Sequence, residues 1–492
     1  MQKALNFLTR PGLRSALLNF GAGLLLALAF APFNLWPLGL AALLFFCRQM
    51  LSSPRLTLRA YCFGLGLFLA GIHWVYLSLY NYGNAGLTFS LLTNITLILV
   101  FALFPAMVGW LLPRLAQTPG QRALLLPLLW GLAEYGRSYF LSGFPWLSLG
   151  YMPSPLRWLA PLGGMWLVGW ATMSLCCLLA LAWEKRSWRP AALALVLFIS
   201  GWAAQFLTFV RPEGKPLTVA LIQGNIDQLQ KFEPMRMRKN MEMYVYAALE
   251  RKEELIILPE TAFTHFEDSI AVDVLEPLSN VLMMRNQVLV TGIPSGDMDK
   301  DLYYNAIVVL GDGSGRYYKR HLLPFGEFLP LRSVFEFFRD YVEVPLGDFT
   351  RGDPVQPPLF TRSARASASI CYEAAFGRDI RRNVAEANYL INISNDGWFK
   401  GSILYDQHLQ MNQMRALEMG RPLARATNTG LTALIDQRGQ VVKVLERDVR
   451  GVLSGEIQPH VGLTPYVRWG NRIFELILLL NLLVALGLRR LK

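Results

Sequence analysis

Eight apolar stretches dictate what this chain can fold into: seven, at roughly 13–31, 35–47, 60–80, 86–112, 123–141, 158–183 and 191–209, crowd the first 210 residues, and another runs from about 472 to 488. A backbone in hydrocarbon must satisfy its own hydrogen bonds, so such stretches are expected as helices, about 20 residues each to span. The second is short and is expected to tilt little or to share its ends with neighbours. The pattern predicts a membrane domain over 1–210 with seven transmembrane helices, and a C-terminal transmembrane helix and tail over 471–492.

With 53% hydrophobic residues over 492 positions, the chain is too apolar for one ordinary soluble domain. Its net charge of +12 is unevenly distributed: residues 211–470 carry 30 Lys+Arg against 32 Asp+Glu, whereas the flanks carry 17 against 3. A basic excess confined to the apolar flanks disfavours nucleic-acid binding and points to topology. Connections alternate in charge. Lys3, Arg10 and Arg14 come first, 32–37 carries none, and Arg48, Arg55 and Arg59 follow. The alternation runs on through Arg114 and Arg122, the lone Arg157, then Lys185, Arg186 and Arg189, to Arg489, Arg490 and Lys492. By the positive-inside rule both termini are cytoplasmic, and an odd number of spans puts 211–470 on the outer side. Ala29-Phe30-Ala31 after a basic start mimics a signal-peptide cleavage site, but Pro32 and the next span predict an uncleaved helix. Glu134 and Arg137, three apart on one helix face, are expected to pair for structure. The aromatics of loop 142–147 suit either an interfacial belt or a lipid entry.

From Pro216 the texture changes. Buried-strand runs at 217–222 and 255–258 flank a helical pattern at 234–252. A helix near 270–286, a strand at 287–293 and paired strands at 303–310 and 315–319 come next. A strand at 364–370, a helix at 374–386, a strand at 388–394, a helix at 406–420 and strands at 422–427, 431–436, 440–445 and 450–457 complete the series. This alternation predicts an α/β sandwich with helices covering the sheets, and about 250 residues suffice for one core.

Cys371 ends an apolar run, and the other four cysteines (Cys47, Cys62, Cys176, Cys177) all lie in the first 210 residues, so it has no disulfide partner within 211–470. A single thiol at a strand-to-helix junction is either a small buried hydrophobe or a nucleophile. Two more motifs leave strands: Leu258-Pro259-Glu260-Thr261, and Tyr318-Lys319-Arg320-His321 leading to Phe325-Gly326-Glu327. Functional side chains gather at strand ends in layered α/β folds, so the three can converge. Metal chemistry finds no support, since no pair among His265, His321, His408 and His460 has ligand spacing and no second cysteine completes a zinc site. His321, beside Lys319, reads as a structural neighbour. The glycines of 311–315 lack the Lys-Ser/Thr ending of a phosphate loop and read as a hairpin turn.

In this order and at these separations, Glu260, Lys319 and Cys371 resemble the catalytic triad of the nitrilase superfamily. With the flanking spans, the whole chain resembles the apolipoprotein N-acyltransferase family. The likeness extends to Gln223-Gly224-Asn225-Ile226, Phe144-Pro145-Trp146 and Ser394-Asn395-Asp396-Gly397-Trp398. The resemblance implies an αββα sandwich and a bacterial inner-membrane enzyme with its catalytic domain on the periplasmic side. It implies acyl transfer from phospholipid, through a thioester on Cys371, to the N-terminal amine of a diacylglyceryl apolipoprotein, with no cofactor. Glu260 is then general base, Lys319 stabilises the oxyanion with a backbone N–H near Cys371 or Tyr372, and Glu327 and Glu373 support the site. Phe144, Trp146, Phe232, Asn395 and Trp398 become substrate-side residues. Phe232 departs from the family pattern, which has Trp after the Lys, so it keeps a ring without an indole donor. Two other readings stand beside this one: a membrane-anchored amidase or nitrilase with a soluble substrate, and a transporter carrying an inert nitrilase-like domain. The intact triad opposes the last, and no repeated hydropathy pattern supports it.

Overall fold

The computed structural model describes residues 11–53, 55–83, 86–297, 300, 302–328 and 349–490. It forms two compact units, one of residues up to 76, 87–208 and 469 onward, the other of 77–86 and 209–468. Of the basic residues that carry the topology argument, Lys3, Arg10 and Lys492 lie outside the described residues.

All eight apolar stretches are helical: α1 (Pro11–Ala27), α2 (Trp36–Ser52), α3 (Leu56–Ile72), α4 (Leu87–Leu115), α5 (Pro119–Arg137), α6 (Ala160–Lys185), α7 (Trp188–Ala203) and a closing helix, Arg472–Arg490. The second is longer than its apolar run, reaching Ser52 through Arg48. By length and composition, four helical stretches among the described residues can cross a membrane: Leu56–Tyr82, Leu87–Leu115, Pro155–Lys185 and Trp188–Phe206. Their outer faces are greasy, since Leu92, Ile95, Leu99 and Leu103 of α4 and Leu195, Ile199 and Trp202 of α7 are all exposed. An apolar stripe of this extent needs a nonaqueous neighbour.

Glu134 and Arg137 act on the loop beyond α5. Arg137 Nη1 donates to the carbonyls of Phe144 and Trp146, each at 2.6 Å, and Nη2 donates to Ser148 Oγ at 3.3 Å. Glu134 Oε1 accepts from the Leu149 N–H at 3.0 Å. Both side chains are buried, and each satisfies backbone or hydroxyl groups of an irregular segment that has no ladder of its own.

Helices α1 and α3 meet through small residues. A Cβ on Gly23 would run into the Phe63 carbonyl, and one on Gly66 into the Phe20 carbonyl, so the contact is reciprocal and tolerates only glycine. Gly66→Leu should therefore lower the melting temperature of the detergent-solubilised protein by 10 °C or more or stop it accumulating, whereas Gly21→Ala, which meets nothing within 4 Å, should melt like the parent.

In the second unit, strands β1 (Leu217–Gln223), β2 (Leu255–Ile257), β3 (Val288–Asp297), β4 (Leu302–Gly311), β5 (Arg316–Tyr318), β6 (Leu359–Thr361), β7 (Ala364–Ile370), β8 (Tyr389–Ser394), β9 (Leu423–Thr427), β10 (Ala433–Ile435), β11 (Val441–Val444) and β12 (Gly451–Ile457) form two sheets. One has the order β12-β1-β2-β3-β4-β5; the other runs β11-β10-β9-β8-β7-β6 and ends on Gly313–Ser314. Their centres are parallel, β1 with β2 and β2 with β3, and β7 with β8 and β8 with β9. Strands buried on both faces need continuous apolar runs, and β1 supplies one. Leu217, Val219 and Leu221 meet Ala366, Ala368, Ile370 and Ile391 of the facing sheet. Ile222 turns the other way, under α8 (Pro234–Leu249) and α9 (Glu276–Met284). On the far side α10 (Leu404–Met419) covers Leu390, Leu423 and Ala433. The layers are helix, sheet, sheet, helix.

Two local expectations are corrected. The helix expected at 374–386 is broken into Cys371–Ala375, Gly377–Ile380 and Arg381–Asn383, because Phe376 leaves helical geometry at φ −114° and ψ 77°. The turn at 311–315 does join paired strands β4 and β5, but its tip, Gly313–Ser314, also pairs with β6 and so joins the two sheets.

Candidate active site

Glu260 follows β2, Lys319 follows β5 and Cys371 follows β7, and the fold brings the ends of these strands together. Lys319 Nζ donates to Glu260 Oε1 at 3.3 Å and to Glu327 Oε1 at 2.9 Å, with all three side chains buried. Asn305, on β4, donates through Nδ2 to the same two oxygens at 2.8 Å each, and its carbonyl accepts from the Lys319 N–H. Glu327 Oε2 accepts from the Leu323 N–H at 2.8 Å, which fixes the turn that carries it. Burial alone would weaken the Lys319 ammonium, but Glu260, Glu327 and Cys371 overcome it and hold its proton well above the usual lysine range.

Cys371 has a left-handed backbone, φ 51°, where β7 gives way to a turn. A non-glycine residue there costs about 1 kcal/mol or more, and such strain persists where the surroundings over-determine it. Burial pushes its thiol up, Glu260 adds to this, and Lys319 and a hydrogen bond with Ser394 only partly offset it. The resting group is therefore a thiol, and a nucleophilic role requires a base.

Glu373 is a clasp, not a reactant. Its Oε1 accepts from the N–H groups of Arg320 and His321 at 2.8 and 3.0 Å, its Oε2 from the Ile370 N–H at 2.7 Å, and both from the Tyr317 hydroxyl. It ties the residues after Lys319 to the residue before Cys371. Burial raises this carboxyl to about 7, while the backbone donors pull in the opposite direction. Tyr372 packs edge-on against Phe376 at 5.1 Å, and His321 stacks on Phe376 and faces Asp379. His321 is thus the structural neighbour that its position suggested.

The other expected site residues fall in different surroundings. Asn395 is consumed internally: Nδ2 donates to Gln228 Oε1 at 2.6 Å, and Oδ1 accepts from Asn428 Nδ2 at 3.1 Å. Trp398 is half-buried, edge-on to Tyr82 at 5.4 Å, and Phe232 is partly exposed beside Lys231. Phe144 and Trp146 belong to the helical unit, where Phe144 stacks between Phe101 and Trp146. Trp146 is 3% exposed, too buried for an interfacial anchor.

Two groups escaped the sequence reading. Asn305 carries a signal, a polar residue inside an apolar strand, and such a residue must find partners. Lys231 is the other: 1% exposed, it donates to the Glu260 carbonyl at 2.9 Å and to Thr261 Oγ1 at 2.5 Å. It is delivered by a short helix capped by Asp227 and anchored through Gln228 on Asn395. The preceding Gln223-Gly224-Asn225-Ile226 run is latched by Asn428, which accepts from the Ile226 N–H and donates to its carbonyl.

A buried Glu-Lys-Cys set at strand ends of a four-layer αββα sandwich defines a carbon-nitrogen hydrolase fold of the nitrilase class, and the carbon-nitrogen hydrolase family model matches residues 218–466. The apolipoprotein N-acyltransferase N-terminal domain model matches residues 22–178. The chain is 40% identical over 483 residues to the apolipoprotein N-acyltransferase of Azotobacter vinelandii, covering 94% of this chain and 93% of the relative. It is 40% identical over 471 residues to that of Methylococcus capsulatus, covering 93% of each. The crystal structure of a carbon-nitrogen hydrolase from Helicobacter pylori aligns with a TM-score of 0.39 at 17% identity, over 49% of this chain and 89% of that one. The chain belongs to the apolipoprotein N-acyltransferase family, and is an acyltransferase built on a carbon-nitrogen hydrolase fold.

Two outcomes follow from this geometry. A Cβ on Gly292 of β3 would lie 2.6 to 2.8 Å from the backbone of 259–261, so Gly292→Ala should displace Glu260 and slow acyl transfer at least tenfold while the protein still folds; assay of the purified variant checks this. Burial lowers Lys231 to about 8 against the coulombic effect of Glu260 and Cys371. The sign follows: between pH 8 and 10.5 the folded chain binds fewer protons here than the unfolded one, so stability rises with pH in that window. Wild type should gain in melting temperature over Lys231→Met across it, and not below pH 8.

Proposed function

We propose that this chain transfers an acyl chain from phospholipid to the N-terminal amine of a diacylglyceryl apolipoprotein in two half-reactions through Cys371. The observation that carries the reading is the buried contact of Lys319 with Glu260 and Glu327, next to a left-handed cysteine whose thiol is held in its protonated form. In the first half-reaction Glu260 takes the thiol proton and the sulfur attacks the ester carbonyl. Lys319 and a backbone N–H beside Cys371 meet the charge on the oxygen. The intermediate collapses, the lysophospholipid alkoxide leaves with the proton from Glu260, and a thioester remains. The neutral amine of the acceptor then attacks the thioester, Glu260 takes its proton, and the thiolate is expelled and reprotonated. One carboxylate thus serves both steps, and the net charge of the buried cluster stays constant when the proton moves from sulfur to carboxylate.

The proposal includes the topology: eight transmembrane helices in the bacterial inner membrane, both termini cytoplasmic, and 211–470 as the periplasmic catalytic domain between the membrane parts 1–210 and 471–492. The exposed apolar stripes of α4 and α7 support it, as does the alternation of basic loops. An acceptor already anchored by lipid is favoured over water by proximity. Phe144, Trp146, Phe232 and Trp398 remain proposed substrate-side residues.

Initial rates over a grid of phospholipid and lipopeptide concentrations should give parallel double-reciprocal lines. Intersecting lines would indicate a ternary complex, and fatty acid released equally fast without acceptor would indicate a hydrolase. Cys371→Ala should abolish transfer, and Lys319→Met should slow acyl-enzyme formation by about 10² to 10³.

A further inference from the structure

His408, on α10, lies outside every motif that pointed to the site, yet its Nε2 is 3.0 Å from the carbonyl oxygen of Cys371. A carbonyl only accepts, so Nε2 carries a proton. On the other side of the ring, Nδ1 is 2.8 Å from Asp396 Oδ1 and 3.1 Å from Arg425 Nη2. Arg425 Nη2 donates to Asp396 Oδ2 at 2.6 Å and Nη1 to Asn392 Oδ1 at 2.5 Å. Ser394 Oγ donates to Asp396 Oδ1 at 2.8 Å. All these side chains except that of Cys371 are 4% exposed or less. The backbone carbonyl of the nucleophile is therefore gripped by His408, and the ring that grips it is held by Asp396 and Arg425.

Such a grip answers a mechanical need. The left-handed turn at Cys371 carries its carbonyl out of the sheet ladder, where it must find another partner, and a shift in that carbonyl rotates the following peptide N–H with it. We propose that His408 is a positioning residue for the nucleophile: by holding the Cys371 carbonyl it fixes the turn that aims the sulfur and the Tyr372 N–H at the acyl carbonyl, while Asp396 and Arg425 hold the ring in place. The inference rests on the reading of Cys371 as nucleophile. Burial would raise Asp396, but His408 and Arg425 bring it down to about 2, so the carboxylate that orients the ring stays charged.

Two near-isosteric changes separate this role from plain core satisfaction. The amide nitrogen of glutamine overlays Nε2 and can keep the bond to Cys371, whereas that of asparagine overlays Nδ1 and can keep only the bond to Asp396. Single-turnover formation of the acyl-enzyme from phospholipid, per folded protein, should fall at least tenfold in His408→Asn with KM for phospholipid within about twofold, and should recover to within a few-fold of wild type in His408→Gln. Asparagine acting as well as wild type, or both variants losing rate only in proportion to melting temperature, would overturn the proposal. If either variant does not fold, ¹⁵N-histidine NMR of the wild-type enzyme decides. A slowly exchanging His408 Nε2–H that shifts when Cys371 is acylated supports the role, and an Nε2 without a proton contradicts it. Activity retained in Cys371→Ala would instead sink the underlying nucleophile assignment, leaving the two failures distinguishable.

Discussion

The buried ammonium of Lys319, set between the carboxyl groups of Glu260 and Glu327, is the interaction on which the rest of the site depends. Taking three charged groups out of water is expensive, and removing one partner of such a cluster commonly costs 3–5 kcal/mol because the remainder is left uncompensated. The fold meets that cost with fixed donors. Asn305 reaches both carboxyl groups from the middle of β4, the Leu323 N–H takes the second oxygen of Glu327, and Lys231 holds the backbone of Glu260 from behind. Since these groups come from four separate segments, the cluster assembles only when the strand ends are in register.

The same economy explains why a base and a cation sit side by side. Cys371 is held as a thiol by burial, and a thiolate formed without relocating its proton nearby would add charge to a dry site. Passing the proton to Glu260 trades one buried anion for another. Lys319 faces both, so its attraction is not lost as charge moves from carboxylate to sulfur and on to the carbonyl oxygen.

Much of this was legible in the sequence. Glu260, Lys319 and Cys371 are motif residues just past the ends of short strands, and the apolar runs of Leu217–Gln223 and Leu255–Ile257 follow from burial on two faces. The eight helices were visible as hydropathy alone. What escaped depends on tertiary contact. Asn395 resembled a substrate residue by motif, yet its amide is consumed in holding Gln228 and Asn428, a partnership between positions about 170 and 30 residues away that no local pattern encodes. Lys231 entered the sequence reading only as the residue before Phe232, and its burial depends on the Gln228–Lys231 turn that folds it inward. His408 was weighed only as a metal ligand, because its value lies in a backbone carbonyl, which every residue has. The expected helix after Cys371 failed at Phe376, where the backbone departs from helical geometry.

The central claim is that the acyl chain passes through the sulfur of Cys371. Intact-protein and peptide mass spectrometry of the enzyme after incubation with phospholipid, without acceptor, tests it most directly. The account predicts one fatty acyl group per chain, on the peptide containing Cys371, released by hydroxylamine and discharged when lipopeptide is added. Acyl label on another residue, or wild-type transfer with no acyl group on Cys371 at any time in the turnover, would contradict it.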